Sequence, residues 1–214
     1  MKLLLPQKNE LLKTGDVDYY YWNYSFPISA IQRYRFKKVI KFLGDINYNK
    51  LLEIGIGSGI FLPELSKHTS ELYGCDIHNN YDNVKKLCKS YNIPKFYIEK
   101  QNIMKTTYNS KYFDVIVGVS VLEFVENLQM AIDEIKRILK KNGIFITLTP
   151  MENKFTDWLL SFYTSKKPNE EFGDSRHHVW KRLEDNFNII HKEYLTPVIG
   201  KYFPVYTFYK LQNK

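Results

Sequence analysis

The chain has 214 residues, is 44% hydrophobic and 25% charged, and carries a formal charge of +8 from 31 Lys+Arg against 23 Asp+Glu. That length and balance describe one globular domain able to bury a core without staples, and they exclude wholesale disorder. Two cysteines, Cys75 and Cys88, are too few for a disulfide framework and lack metal-ligand spacing, so no metal site is expected. The longest apolar run, residues 115–122, is far short of a membrane span, and the stretch before Pro6 is too short for a signal peptide. A soluble protein of the reducing cytoplasm is the expectation.

The basic balance invites a nucleic-acid or anionic-membrane partner. Only five of the 31 cations are Arg, however: Arg33, Arg35, Arg137, Arg176 and Arg182. Arg is the residue suited to bidentate phosphate and guanine recognition. The excess also sits mainly in residues 1–50, at +5, whereas residues 51–100 are neutral.

In chain order, residues 27–43 read as a helix with Pro27 early and Gly44 just past its end. Residues 51–55 form a buried strand that runs through a glycine turn into a helix over 59–67. A strand at 72–76, a helix at 80–91 and a strand at 96–99 follow. Residues 113–119 have the near-continuous apolar character of a strand covered on both faces. Leu128, Ile132, Ile135 and Leu139 recur at helical spacing over 127–140, with Asn142-Gly143 as the stop, and 144–148 is a fifth strand. Residues 150–177 are rich in aromatics and charge. A helix near 178–186 then precedes two β-prone stretches, 187–195 and 202–211, which suit an antiparallel pair. This alternation calls for an α/β domain with a mostly parallel sheet and helices on both faces.

The first strand ends Glu53-Ile54-Gly55-Ile56-Gly57-Ser58-Gly59. Glycines at alternate positions permit a tight turn and close approach of a ligand to the backbone, and open α/β sheets bind ligands at this end of their strands. A dinucleotide fingerprint needs glycine at position 60, which is Ile60, and no Gly-Lys-Ser/Thr of a phosphate loop is present. The pattern E-x-G-x-G-x-G, with Asp76 ending the second strand, resembles the first two motifs of the class I S-adenosylmethionine-dependent methyltransferases, small-molecule type. The likeness runs from about residue 48 to 150 and loosens along the chain: Phe124 stands where that family's L-E-H-V stretch has histidine, and only the last glycine of L-K-P-G-G is kept, as Gly143.

The resemblance implies a Rossmann-like, doubly wound seven-stranded sheet with an antiparallel C-terminal edge. It implies a lid over residues 1–47 and a methyltransferase domain over 48–214 with a substrate-side insertion at about 150–178. It implies S-adenosyl-L-methionine as cofactor, with S-adenosyl-L-homocysteine as product. By that likeness Asp76 accepts the ribose hydroxyls, Glu53 orders the methionine end, and Gly55, Ile56, Gly57 and Gly59 give backbone approach. Ile77 then packs beside adenine, Asn102 meets its amino group with Ile103 as the adjacent backbone donor, and Val119, Ser120 and Phe124 border the methyl donor.

Methyl transfer from a sulfonium asks mainly for proximity and orientation, with a base for a hydroxyl acceptor. Candidates on the acceptor side are His177 and His178, after the fifth strand, and Tyr20 and Tyr21 in the aromatic run 19–24. Arg33 and Arg35 do not share a helix face, so at most one points inward. The expected reaction is O- or N-methylation of a small molecule, an acidic or lipid-linked one being compatible with the basic N-terminal quarter. Two alternatives stay open. Nucleic-acid methylation lacks its Asn/Asp-Pro-Pro-Tyr/Phe or Pro-Cys motif here, and a non-catalytic S-adenosylmethionine-binding protein would use the same turn.

Overall fold

The computed structural model describes residues 2–15, 18–150, 179–195 and 206–214. Buried Phe36, Val39, Ile40 and Leu43 give helix α1 (Ile28–Leu43) one apolar face, and Gly44, at φ 73°, closes it with its N–H on the Ile40 carbonyl. The chain then alternates through β1 (Tyr48–Ile54), α2 (Leu62–Leu65), β2 (Thr69–Asp76), α3 (Tyr81–Ser90) and β3 (Phe96–Lys100). It continues through β4 (Phe113–Val119), α4 (Leu128–Ile138) and β5 (Leu139–Pro150), and closes with α5 (Val179–Asn186), β6 (Asn188–Tyr194) and β7 (Tyr206–Gln212).

The seven strands form one sheet in the order β3-β2-β1-β4-β5-β7-β6. The first five are parallel; β7 runs antiparallel between β5 and the outermost strand β6. Alternate residues of the central strands go to opposite faces. Leu51, Val115, Val117 and Ile146 pack with α1, α2 and α3, whereas Leu52, Ile54, Ile116 and Phe145 pack with α4 and α5. Burial of each such side chain contributes about 1.5–3 kcal/mol, which is why these strands read as unbroken apolar runs. Strand order reverses between β1 and β4, and that switch point positions the site.

Two helices are shorter than their sequences suggest. The one expected over 59–67 is a single α turn, Leu62–Leu65, followed by a 3-10 turn, Ser66–His68. Gly59, at φ 79°, keeps the preceding backbone out of helical geometry. The helix expected to stop at Asn142-Gly143 ends at Ile138, and Leu139 already pairs with Phe113. Asn142 (φ 62°) and Gly143 instead lie in an irregularity of β5, where the register moves from Phe113↔Leu139 to Val115↔Ile144. Leu139 is fully buried by the sheet; its apolar spacing suits a helix equally well, so tertiary pairing decides.

The N-terminal segment is fastened to this domain. Leu11 is buried in the core, Leu4 donates its N–H to Glu64, Tyr24 donates to the Pro6 carbonyl, and Tyr91 donates to Glu10. The aromatic run forms a 3-10 helix, Tyr20–Tyr24, in which Tyr19 stacks on Trp22 at 4.3 Å. No helix among the described residues is long and apolar enough to cross a membrane.

Candidate functional site

A cavity of about 620 Å³ lies over the carboxyl ends of β1, β2 and β4, roofed by residues of the N-terminal segment and α1, a size suited to a small-molecule site. Its floor is the turn after β1. Gly55 and Ile56 both direct their N–H groups at the Cys75 carbonyl, which pins the turn to β2. A Cβ on Gly55, at φ 68°, would sit 2.4 Å from the Val121 side chain, so no other residue fits there.

Asp76 is locked in orientation at the end of β2. Its Oδ2 accepts from the Gly57 N–H at 2.8 Å and its Oδ1 from the Ile77 N–H at 2.7 Å, leaving further lone pairs for a ligand. His78 braces the same turn: its Nδ1 accepts from the Asn80 N–H, so its Nε2–H donates to the Gly57 carbonyl at 3.0 Å.

Two more carboxylates converge on this end. Glu53 is only 4% exposed and its Oε2 has no hydrogen-bond partner; burial, reinforced by the Asp76 charge, holds its carboxyl well above the usual carboxylate range. Asp18 reaches in from the N-terminal segment, and its Oδ1 lies 3.4 Å from where a Cβ on Gly57 would be. Burial raises the Asp18 carboxyl against the lowering effect of two hydrogen bonds from Thr14, through N–H and Oγ1, with the Asp76 charge adding to the rise.

Elsewhere the cavity is lined by a cation, aromatic rings and two further acids, Glu123 and Glu126. Of the two candidate arginines on α1, Arg35 turns inward, 7% exposed, and Arg33 faces solvent. Arg35 donates from Nη1 to Gln32 and from Nη2 to the Ser120 Oγ, and its guanidinium lies 4.6 Å from the centre of the Tyr206 ring.

Most residues that the sequence nominates meet here. Glu53, Gly55, Ile56, Gly57, Asp76, Ile77, Asn102, Ile103, Val119, Ser120, Phe124 and Tyr20 all line the cavity. Asn102 also folds its own turn, accepting the Met104 N–H through Oδ1. Gly59 does not line it: a Cβ there would meet Val84 at 2.8 Å, so this glycine serves the packing of the turn on α3. Tyr21 is also off the cavity, packed edge-on against Tyr19, Tyr20 and Trp22. His177 and His178 lie outside the described residues. Sequence reading missed Asp18, Gln32 and the brace from His78; Asp18 and Gln32 reach the site by long-range packing, which no local motif announces.

A buried, unpartnered carboxylate oxygen on Glu53, two further acids and exposed turn backbone suit a ligand with cationic groups and hydroxyls, and the donor set fits S-adenosylmethionine. Residues 52–147 match a family model described as a methyltransferase domain. The ubiquinone biosynthesis O-methyltransferase of Rickettsia bellii is 27% identical over 154 residues, which cover 66% of this chain and 62% of that protein; the chain thus spans less than two thirds of that relative's length. In fold it is similar to an S-adenosylmethionine-dependent methyltransferase from Aquifex aeolicus (TM-score 0.65, 18% identity, 89% of this chain and 100% of that one). It is also similar in fold to geranyl diphosphate C-methyltransferase from Streptomyces coelicolor A3(2) (TM-score 0.70, 13% identity, 94% and 85%). The matched span runs from β1 into β5, contains the whole glycine turn and Asp76, and supports a class I S-adenosylmethionine-dependent methyltransferase family for this stretch of the chain.

Proposed function

We propose that this protein transfers a methyl group from S-adenosylmethionine to an oxygen or nitrogen of a small molecule. The observation that carries the reading is the acidic end of the cavity: Glu53 with an unpartnered buried oxygen, beside an Asp76 held in place by two backbone N–H groups. When bound, the cofactor supplies a methyl group on a sulfonium, which departs as a neutral thioether once the acceptor's lone pair takes the methyl carbon.

The chain's own residues supply binding, orientation and exclusion of water. Asp76 accepts the ribose hydroxyls and Glu53 the amino group. Ile77 and Ile103 flank the adenine, and Asn102 offers a polar edge to it. Asp18, Glu53 and Asp76 together favour a cationic donor over its neutral-sulfur product. Residues 1–47 act as a lid, with Tyr20 over the acceptor side. Phe124 supplies apolar packing in place of a base, so proton removal from a hydroxyl acceptor falls to another group, for which His177 and His178 are the candidates.

The test is turnover. Release of S-adenosylhomocysteine is measured across quinols, sugars, lipids, amines and RNA. Turnover confined to small molecules is the expected outcome. Methylation of RNA alone, or cofactor binding with no turnover anywhere, would contradict the reading.

A further inference from the structure

Asn23 brings a buried amide into the roof of the cavity and leaves half of it unused. The residue is 4% exposed and lines the cavity from the 3-10 helix Tyr20–Tyr24. Its Nδ2 donates to the Tyr20 carbonyl at 3.0 Å, which fixes the orientation of the amide: turned over, it would set oxygen against oxygen. Oδ1 is therefore the free end, buried and without a hydrogen-bond partner. The Arg35 Nε–H is unpartnered as well, so the two do not meet. A buried carbonyl oxygen left unsatisfied is costly, and an N–H or O–H of a ligand removes that cost.

The hydrogens of the methyl donor say which ligand that is. S-adenosylmethionine donates from its ammonium, its ribose hydroxyls and its adenine amino group. The acceptors assigned above to these are Glu53, Asp76 and Asn102, which all rise from the ends of β1, β2 and β3. Asn23 comes instead from the roof, on the same short helix as Tyr20, and that helix packs on α1. Trp22, Phe36 and Phe124 add aromatic walls to the cavity. A neutral amide oxygen suits an uncharged O–H or N–H, and it orients such a group without taking its proton.

We propose that Asn23 Oδ1 accepts a hydrogen bond from an uncharged O–H or N–H of the methyl acceptor, and so selects acceptors that carry one. This rests on the methyltransferase reading and names a residue that determines its acceptor specificity.

Phenol and anisole differ in the one hydrogen that Oδ1 would accept, and they serve as probes. Each is titrated calorimetrically into the S-adenosylhomocysteine complexes of wild type, Asn23→Leu and Asn23→Asp. The wild type is expected to bind phenol at least about tenfold more tightly than anisole. That preference disappears in Asn23→Leu, which has a similar shape and no acceptor. In Asn23→Asp at about pH 5, the protonated buried carboxyl donates to the Tyr20 carbonyl and still accepts, so the preference survives there; this variant also serves if the Leu variant fails to fold. Equal binding of the two probes by the wild type, or no phenol binding, overturns the proposal. So does a preference untouched by Asn23→Leu, or one lost as fully in Asn23→Asp at that pH. A fall of at least about tenfold in S-adenosylhomocysteine affinity in Asn23→Leu, beside wild-type thermal stability, would assign the amide to the donor, and the acceptor assignment falls. Failure of the wild type to bind S-adenosylhomocysteine at all would instead contradict the methyltransferase reading, and the two probes titrated into the protein alone would still report on Asn23.

Discussion

Glu53 holds its proton more tightly in the folded protein than in the unfolded chain, through burial first and the Asp76 charge second. The sign of the linkage follows. A carboxyl raised on folding contributes stability that is complete below its unfolded value, near 4.5, and that is lost as pH rises through the folded value. Glu53→Gln keeps the shape and removes the titration. In thermal melts without cofactor, the variant should therefore gain on the wild type as pH rises from 5 to 8, by about 1–3 kcal/mol at the upper end. The same variant should bind S-adenosylmethionine at least about tenfold more weakly, because the carboxylate partner of the ligand's amino group is gone. A pH-independent loss of stability would show that Glu53 is simply packed and satisfied. Spacing and the family resemblance together nominated Glu53, Asp76 and the alternate glycines, and the fold brings Glu53, Gly55, Gly57 and Asp76 to one cavity. Asp18 was not nominated, since its approach to Gly57 is set by how the N-terminal segment folds back. Nor did spacing alone separate Gly59, which packs on α3, from Gly55 and Gly57 beside the cavity.

Among the elements, the junction of α4 and β5 shows how long-range contacts override local pattern. Asn213, 7% exposed near the C-terminus, donates from Nδ2 to the carbonyl of Lys136 at 2.9 Å and to those of Leu139 and Lys140 at 3.3 Å. Its backbone N–H bonds the Gly143 carbonyl. These contacts satisfy carbonyls that the end of α4 leaves open, and they hold the irregular start of β5. Asn213→Ala should cost about 1–3 kcal/mol in denaturant unfolding, whereas substitution of the neighbouring exposed Lys214 should leave the midpoint unchanged. Equal effects would remove this role for Asn213. The helical spacing of Leu128, Ile132, Ile135 and Leu139 marked α4 correctly up to Ile138. Its true end was hidden because the contacts that hold it, the pairing of Leu139 with Phe113 and the bonds from Asn213, come from far along the chain.

For the molecule as a whole, the strand–helix alternation identified the parallel sheet, its two covered faces and the antiparallel pair beyond β5. Such a sheet puts its ligand cleft at the reversal between β1 and β4, and the cavity lies there. The +8 charge resolves into distinct parts: solvent-facing cations such as Arg33 and Lys37 on α1, a buried Arg35 at the cavity, and five acids along its walls, Asp18, Glu53, Asp76, Glu123 and Glu126. The central claim is that the acidic side binds S-adenosylmethionine or its demethylated product. Calorimetric titration of the wild type and of Asp76→Ala with S-adenosylhomocysteine tests it most directly. The account predicts one equivalent bound by the wild type and affinity at least about tenfold lower in Asp76→Ala. No binding by the wild type, or equal binding by the two, would contradict it.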